Sequence, residues 1–275
     1  MTKGERSVDE ESAAPFDVDL TRASIARVYD YLLGGKEYLD ADRRAADAMT
    51  NVVPEAGDIA RANRRFLRRG VSYLVREAGV RQILDIGSGL PGDGNVKEVA
   101  QAADPDVRVT YVDNDPIVLA HARAMLATDE RTAAVPGDLR RPDELFDRVE
   151  AMQLLDLDEP FAVLLSGVVH HLADDEDPGG LVAAVRARLC PGSYLLLSHF
   201  LDDDEPRARA LERACLYGGL GSGRFRTWTE LHGYFDGLEL VEPGLVYAND
   251  WRPDASTPNG SPVTTLYAGG VGRKP

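Results

Sequence analysis

Two short stretches of this chain carry the residue types and spacing of a nucleoside site. Ile83-Leu84-Asp85-Ile86-Gly87-Ser88-Gly89-Leu90-Pro91-Gly92 reads as a buried strand running into a glycine turn, and Tyr111-Val112-Asp113-Asn114-Asp115-Pro116 as a second strand ending in a carboxylate. Gly87 and Gly89 leave the backbone bare where a ligand must touch it. Asp113 follows Gly92 by 21 residues, about the separation at which an acid at the second strand end accepts the hydroxyls of a ribose. The pairing points to adenosine. Asp85, two positions before the first glycine, suits a cationic ammonium and would repel a pyrophosphate at a helix N-terminus.

Gly87 to Gly92 also matches G-x-G-x-x-G literally, so a nicotinamide-dependent oxidoreductase is a competing reading. Asp85 opposes it, as does the wider turn imposed by Pro91. The first stretch instead resembles motif I, and Val112 to Pro116 motif II, of the class I S-adenosylmethionine-dependent methyltransferases. Ala134-Val135-Pro136-Gly137-Asp138-Leu139, Phe161 to Ser166, Gly167 to Leu172 and Leu189 to His199 resemble the later strands and loops of that fold. A narrower resemblance covers nearly the whole chain. Ser24 to Lys36, Arg61 to Leu67, Leu238 to Gly244 and Trp251-Arg252-Pro253 are similar to an actinobacterial family of S-adenosyl methyltransferases long catalogued as a domain of unknown function. The resemblance implies an α/β fold, a Rossmann-like doubly wound seven-stranded sheet with a terminal antiparallel strand, and S-adenosyl-L-methionine as cofactor. It assigns Asp85, Gly87, Ser88 and Gly89 to the methionine end, Asp113 to the ribose, Asn114, Asp138 and Leu139 to the adenine, and Ser166 and Gly167 to the strand end beneath the sulfur. It does not supply the substrate.

A sulfonium methyl is already activated, so the protein must chiefly align donor and acceptor and exclude water. Positioning can supply about 7–11 kcal/mol, more than a general base does. His170 and His171 follow the fourth strand and His199 ends the fifth, where a neutral imidazole could take a proton from an acceptor. His170 is the first choice and His199 the second; packing and backbone hydrogen bonding are the plainer roles for each. Tyr29, Tyr31, Gly34, Gly35 and Lys36 read as a lid, with Lys36 meeting the ligand's carboxylate, or as core packing followed by a glycine stop. The aromatic-rich ending, with Tyr217, Arg224, Phe225, Trp228, Tyr234 and Trp251, is the expected acceptor pocket. Acid runs at Asp174 to Asp177 and Asp202 to Glu205 read as solvated loops and helix caps, and no metal site is expected. No Asn-Pro-Pro-Tyr type segment follows the fourth strand, which leaves a small molecule, methylated through oxygen or nitrogen, as the expected acceptor. A catalytically idle protein that binds the cofactor or its demethylated product for regulation is the remaining alternative.

The elements that must hold these residues follow from periodicity. Residues 1–20 read as a loosely held tail, 21–79 as a helical cap or lid, and 80–275 as the cofactor-binding Rossmann-like domain. In the cap a helix from Thr21 places Ile25, Val28, Tyr29, Leu32 and Leu33 on one face and stops at Gly34-Gly35. A second helix runs from Asp40 to Met49, and a third from an Asp58 cap to Gly79. This front section is too apolar on one side to stand alone, so it should fold back over the sheet. Pro116, Pro142 and Pro178 mark first helical positions, Thr227 to Glu230 a capping box, and Leu238 to Val246 with Val263 to Gly270 a terminal antiparallel pair.

Composition narrows the partners. A net charge of −15 over 275 residues opposes a phosphate-rich nucleic acid, and Arg64, Arg65, Arg68 and Arg69 read as the solvated face of the third helix. No apolar run is long enough to span a bilayer and the start is polar, so a cytoplasmic, membrane-free protein is expected. Two cysteines, Cys190 and Cys215, indicate neither a disulfide framework nor a zinc site. The oligomeric state is not legible in these features.

Overall fold

The apolar runs that begin at Gln82 become strands, and amphipathic helices fill the segments between them. The structure, a computed structural model, describes residues 19–275; the tail expected over residues 1–20 lies outside this range apart from Asp19 and Leu20. Three helices come first, α1 (Ile25–Leu33), α2 (Asp40–Val52) and α3 (Ala56–Arg76). Then follow β1 (Gln82–Ile86), α4 (Val96–Ala103), β2 (Arg108–Asp113), α5 (Pro116–Met125), β3 (Thr132–Pro136), α6 (Pro142–Ala151) and β4 (Ala162–Ser166). The chain ends with α7 (Pro178–Ala187), β5 (Tyr194–Phe200), α8 (Pro206–Tyr217), α9 (Trp228–Gly233), β6 (Glu239–Leu240), β7 (Val246–Tyr247) and β8 (Tyr267–Arg273). Pro116, Pro142 and Pro178 open their helices as expected, and Thr227 caps α9 by accepting from Glu230 N.

The sheet runs β3-β2-β1-β4-β5-β8-β6, with β7 also paired to β8. β1 to β5 are mutually parallel and β8 is antiparallel to β5. The sheet therefore has the seven positions expected but eight strands, because two short strands share its last edge. The stretch from Leu238 to Val246 was expected as one strand. Pro243 cannot donate to a ladder and Gly244 turns the chain, so β6 and β7 form on either side of them. β8 starts at Tyr267, after a 3-10 turn over Thr264–Leu266, and not at Val263.

Side chains alternate across the strands. Ile83, Leu164 and Leu196 join one core layer with α2, α3, α4, α5 and α8, whereas Leu84, Val163, Leu165, Leu195 and Leu197 join the other with α6, α7 and α9. The front section folds back over the sheet. Ile59, Ala62, Phe66, Leu67, Val71 and Leu74 of α3 are all buried, and α3 lies close enough that a side chain at either of two glycines would force its neighbour to shift. A Cβ on Gly70 would sit 2.2 Å from Leu196 Cδ1, and one on Gly269 of β8 would sit 2.7 Å from Phe66 Cζ.

Three expectations for the front section change. α1 begins at Ile25, not Thr21, and Ile25 is 42 % exposed although it was placed on the buried face. Asp58 lies inside the first turn of α3, where it pairs with Arg61 at 2.6 Å; Glu55 precedes the helix instead. The arginines of α3 are not all solvated. Arg69 is buried and donates to the Trp251 and Ala248 carbonyls at 2.8 and 2.6 Å and to Thr257 Oγ1 at 3.2 Å. It thereby fastens the 248–257 loop to the helix, and five donors in a fixed fork suit it to that task.

Asp42 does similar work at the other end. Its carboxylate, wholly buried, accepts from Ser24 N at 2.8 Å, Leu39 N at 2.7 Å and Arg27 Nε at 2.7 Å. Ser24 Oγ in turn donates to Asp115 Oδ2 at 2.8 Å, which ties the start of α1 to the end of β2.

Candidate active site

Period-two alternation decides which polar residues meet. Asp85, Asp113, Ser166 and Ser198 share the strand face of Ile83, Tyr111, Leu164 and Leu196, so all four point toward the layer that contains α3. They lie at or near the carboxyl ends of β1, β2, β4 and β5. The strand order reverses between β1 and β4, which is where an open α/β sheet forms a ligand crevice. A cavity of ≈ 780 Å³ lies there, roofed by α1 and α3, within the size range of small-molecule sites.

All ten residues assigned to the cofactor border this one cavity. They come from four strand ends and the loops that follow: Asp85, Gly87, Ser88 and Gly89 at β1, Asp113 and Asn114 at β2, Asp138 and Leu139 at β3, and Ser166 and Gly167 at β4. Gly87 and Gly89 take φ of 72° and 66°, conformations that side chains strain to adopt, and nothing stands within 4 Å of where a Gly89 Cβ would be. The turn is therefore an open cradle. Asp113 reaches across it: Oδ2 accepts from Gly89 N at 3.0 Å and Oδ1 from Asp115 N at 2.9 Å. Each oxygen keeps lone pairs for a pair of ribose hydroxyls. At the far end Asn114 Nδ2 approaches Asp138 Oδ2 at 3.4 Å, and Asp138 Oδ1 accepts from Arg140 N at 3.0 Å.

Asp85 is the strained charge of the site. Burial pushes its carboxyl up to about 7; Arg64 pulls the other way and Asp113 adds to the rise. A buried carboxylate near neutrality gains from a cation brought beside it. The open cradle and this carboxylate fit the amino-acid end of S-adenosylmethionine. Arg64, half-buried, borders the cavity with its guanidinium 5.6 Å from the Tyr29 ring centroid.

A second polar group was not foreseen. Parallel register sets Ser166 opposite Ser198, and both hydroxyls donate to Asn63 Oδ1, at 3.0 and 2.7 Å. Asn63 Nδ2 donates to Tyr29 Oη at 3.0 Å, and Tyr29 donates to the Ala60 carbonyl at 3.0 Å. Asn63, Arg64 and Tyr267 all border the cavity. Asn63 had a signal in the sequence: it is a polar residue within the apolar stripe of α3, and such a residue must find partners.

The remaining candidates separate. His170 borders the cavity; His199 does not, because it follows Ser198 on β5 and so faces the opposite layer, where its ring lies 5.9 Å from Tyr234 and Nδ1 donates to the Phe200 carbonyl at 2.6 Å. Burial is the main influence that pushes His171 and His199 down to about 3 and holds His170 well below the usual histidine value. Of the lid cluster only Tyr29 borders the cavity. Tyr31, two residues on and about 200° around the helix, packs its ring 4.7 Å from Tyr38; Gly34 is the C-cap of α1, and Lys36 is exposed. Most of the aromatic ending is elsewhere, although Phe225 stacks on Phe200, which borders the cavity. Trp251 is buried against Phe66 and Tyr73, Trp228 packs on Tyr247, and Tyr217 is 83 % exposed.

The acid runs are committed to the protein's own groups. Asp174 pairs with Arg224 and Arg226, Asp177 caps α7, and Asp203 accepts from Trp228 Nε1 and Tyr247 Oη. Among the described residues no group of three His, Cys, Asp or Glu is placed to hold a metal ion, and no helix is long and apolar enough to cross a membrane.

Sheet order, glycine cradle and the carboxylate at the end of β2 define a Rossmann-like, S-adenosylmethionine-dependent methyltransferase. More narrowly, the chain belongs to the S-adenosyl methyltransferase family, whose sequence model matches residues 11–275. It is similar to a presumed methyltransferase from Thermobifida fusca YX, with 43% identity and a TM-score of 0.88 over 93% of this chain and 96% of that one. It is also similar to a DUF574 family protein from Streptomyces avermitilis MA-4680, with 41% identity and a TM-score of 0.87 over 92% and 98%. The N-methyltransferase NodS from Bradyrhizobium japonicum WM9, in complex with S-adenosyl-L-homocysteine, shares the fold at 15% identity and a TM-score of 0.51 over 90% and 99%. No curated protein matches the chain. S-adenosyl-L-methionine is the cofactor.

Proposed function

We propose that this methyltransferase modifies a small-molecule acceptor through oxygen or nitrogen, and that the ten residues at the strand ends hold the cofactor in the roles assigned to them above. The reading is supported by one observation above the rest: four strand ends and their loops, far apart in sequence, deliver those residues to one cavity at the strand-order reversal. When bound, S-adenosylmethionine supplies a methyl group already activated on sulfur. Asp113 accepts from the ribose hydroxyls and Asp85 faces the cationic amino-acid end. Arg64, not Lys36, meets the carboxylate. Asn114, Asp138 and Leu139 border the adenine, and the helical section 21–79 excludes water, with Tyr29 the member of the lid cluster that takes part. His170 is the proton acceptor on the far side of the cavity, and His199 holds β5 against α9. The net charge of −15 favours a small acceptor over one rich in phosphates.

Titration calorimetry tests the reading directly. S-adenosylmethionine and its demethylated product should both bind and NAD should not; binding of NAD alone would return the chain to the oxidoreductases. A metabolite extract supplied with labelled methyl donor should yield a labelled small molecule, whereas binding without any transfer would leave a regulatory protein.

A further inference from the structure

The part of the cavity beyond the cofactor loops has its own chemistry. Leu32, Met49, Ala56, Ile59, Phe200 and Leu220 border it and carry no charge. Charged residues elsewhere on the lining are paired or belong to the cofactor end. Arg27 is bound to Asp42 at 2.7 Å, Arg64 acts on Asp85, the Arg140 guanidinium pairs with Asp138 at 3.3 Å and with Glu176, and Asp19 and Arg22 lie in the segment that Ser24 ties to Asp115. An ion at the far end would therefore lose its water with nothing to replace it.

Aromatic side chains form one wall there. The His170 and Phe200 rings lie 4.2 Å apart, Tyr267 stands edge-on to Phe200 at 5.4 Å, and Phe225 stacks behind Phe200 at 4.5 Å and 5°. Phe225 and His170 cover the faces of Phe200, so the wall offers ring edges, which suit edge-to-face contact with a planar ring. Beside it polar groups converge over Gly167, so closely that no side chain fits there. Asn63 Nδ2 and Tyr267 Oη each lie 3.0 Å from the point where a Gly167 side chain would begin, and His170 Cε1 lies 3.7 Å from it. Tyr267 touches Ser198 only at 3.5 Å, so its hydroxyl can turn to a better partner; Asn63 uses one amide hydrogen on Tyr29 and keeps the second.

We propose that the acceptor is an uncharged aromatic hydroxyl compound, its ring against the edges of the Phe200 and Tyr267 rings and its oxygen within reach of Tyr267, Asn63 and His170, all of which border the cavity. This rests on the methyltransferase reading given above. The hydroxyl oxygen forms a bond to the methyl carbon as the carbon–sulfur bond breaks, with that bond's electrons remaining on sulfur. The hydroxyl proton passes to the His170 imidazole and then to solvent, leaving a methyl ether and S-adenosylhomocysteine. A buried, weakly basic histidine suits a phenol, whose hydroxyl is acidic, better than an aliphatic alcohol.

The full chain saturated with S-adenosylhomocysteine is titrated with 1-naphthol, 1-naphthoate, 1-(aminomethyl)naphthalene and naphthalene. 1-Naphthol should bind about tenfold more tightly than either charged probe. Tyr267→Phe should weaken 1-naphthol about fivefold while leaving naphthalene and S-adenosylhomocysteine at their original affinities, the last serving as the control for folding. Equal or tighter binding of a charged probe, no preference for 1-naphthol, or equal losses for naphthol and naphthalene would overturn the acceptor assignment alone. Failure of S-adenosylhomocysteine to bind the unmodified protein would remove the cofactor reading and this one with it.

Discussion

Asp85 and Asp113 stand one strand apart on the same face, yet their surroundings give them different duties. Asp113 is fixed by two backbone donors and is the more exchangeable for a measurement of binding: Asp113→Ala should cost about 1–3 kcal/mol of cofactor affinity, the usual loss for charged hydrogen-bond partners. Unchanged affinity in a folded variant would take Asp113 out of the site. Asp85 gives a pH signature instead. Its carboxyl, pushed up to about 7 by burial, holds a proton in the free protein below that value, whereas a cationic ligand favours the ionised form. Cofactor affinity should therefore weaken by up to about tenfold for each pH unit below 7. Asp85→Asn should flatten that dependence, and a flat profile in the unmodified protein would show that no cation binds at Asp85. Both carboxylates were legible in the sequence because a strand, a turn and a spacing of known meaning surround them. The roles of Arg64 and Asn63 were not: Asn63 stands out as a polar residue in an apolar stripe, but a helix pattern tells which residues lie on a face and not which strand ends that face meets.

The elements illustrate the same division. Strand ends, proline helix starts and the Thr227 cap were foreseeable because local sequence decides them. The split of one expected strand into β6 and β7 follows from Pro243 and Gly244 themselves, whereas the inward turn of Arg69 depends on partners more than a hundred residues away and has no local sign. The front section depends on such a partner within itself. Arg27 and Asp42 are both buried and joined at 2.7 Å, with exposures of 6% and 0%. Asp42→Ala would leave the guanidinium without its counterion and three donors without an acceptor, and should lower stability by about 3–5 kcal/mol. Thermal melts with and without S-adenosylhomocysteine check this. If α1 roofs the cofactor, Asp42→Ala should also reduce the stabilisation that the ligand confers, and an unchanged ligand shift would detach the roof from the site.

Across the whole molecule, three histidines set the response to acid, His170 and His199 buried and His171 half-buried. The unfolded chain protonates each near 6.5, while in the folded protein burial pushes His171 and His199 down to about 3 and His170 well below 6.5. Below pH 6.5 the unfolded state thus binds protons that the native state refuses, and stability falls as pH drops through that window. Asp85 and Asp113, raised by burial, act in the opposite sense, since the native state holds their protons at higher pH. The histidines outnumber them, so the melting temperature should decline from pH 7 to 5. His199→Asn, which preserves a donor to the Phe200 carbonyl, should reduce the slope of stability by about 1.4 kcal/mol per pH unit; an unaltered slope would mean that His199 is not the group responding.

The fastening of α3 by Arg69, together with the position of Tyr267 on β8, bears on the order of assembly. Helix α3 leaves the ribosome early, but the carbonyls that Arg69 grips lie at 248 and 251 and the strand that receives Phe66 lies at 267–273. Closing contacts of such long sequence separation is slow. The nascent chain can build β1 to β5 in succession, but it cannot form a ligand-tight chamber until its last strand slots in beside β5. Synthesis thus withholds the reaction chamber until translation of this region is complete.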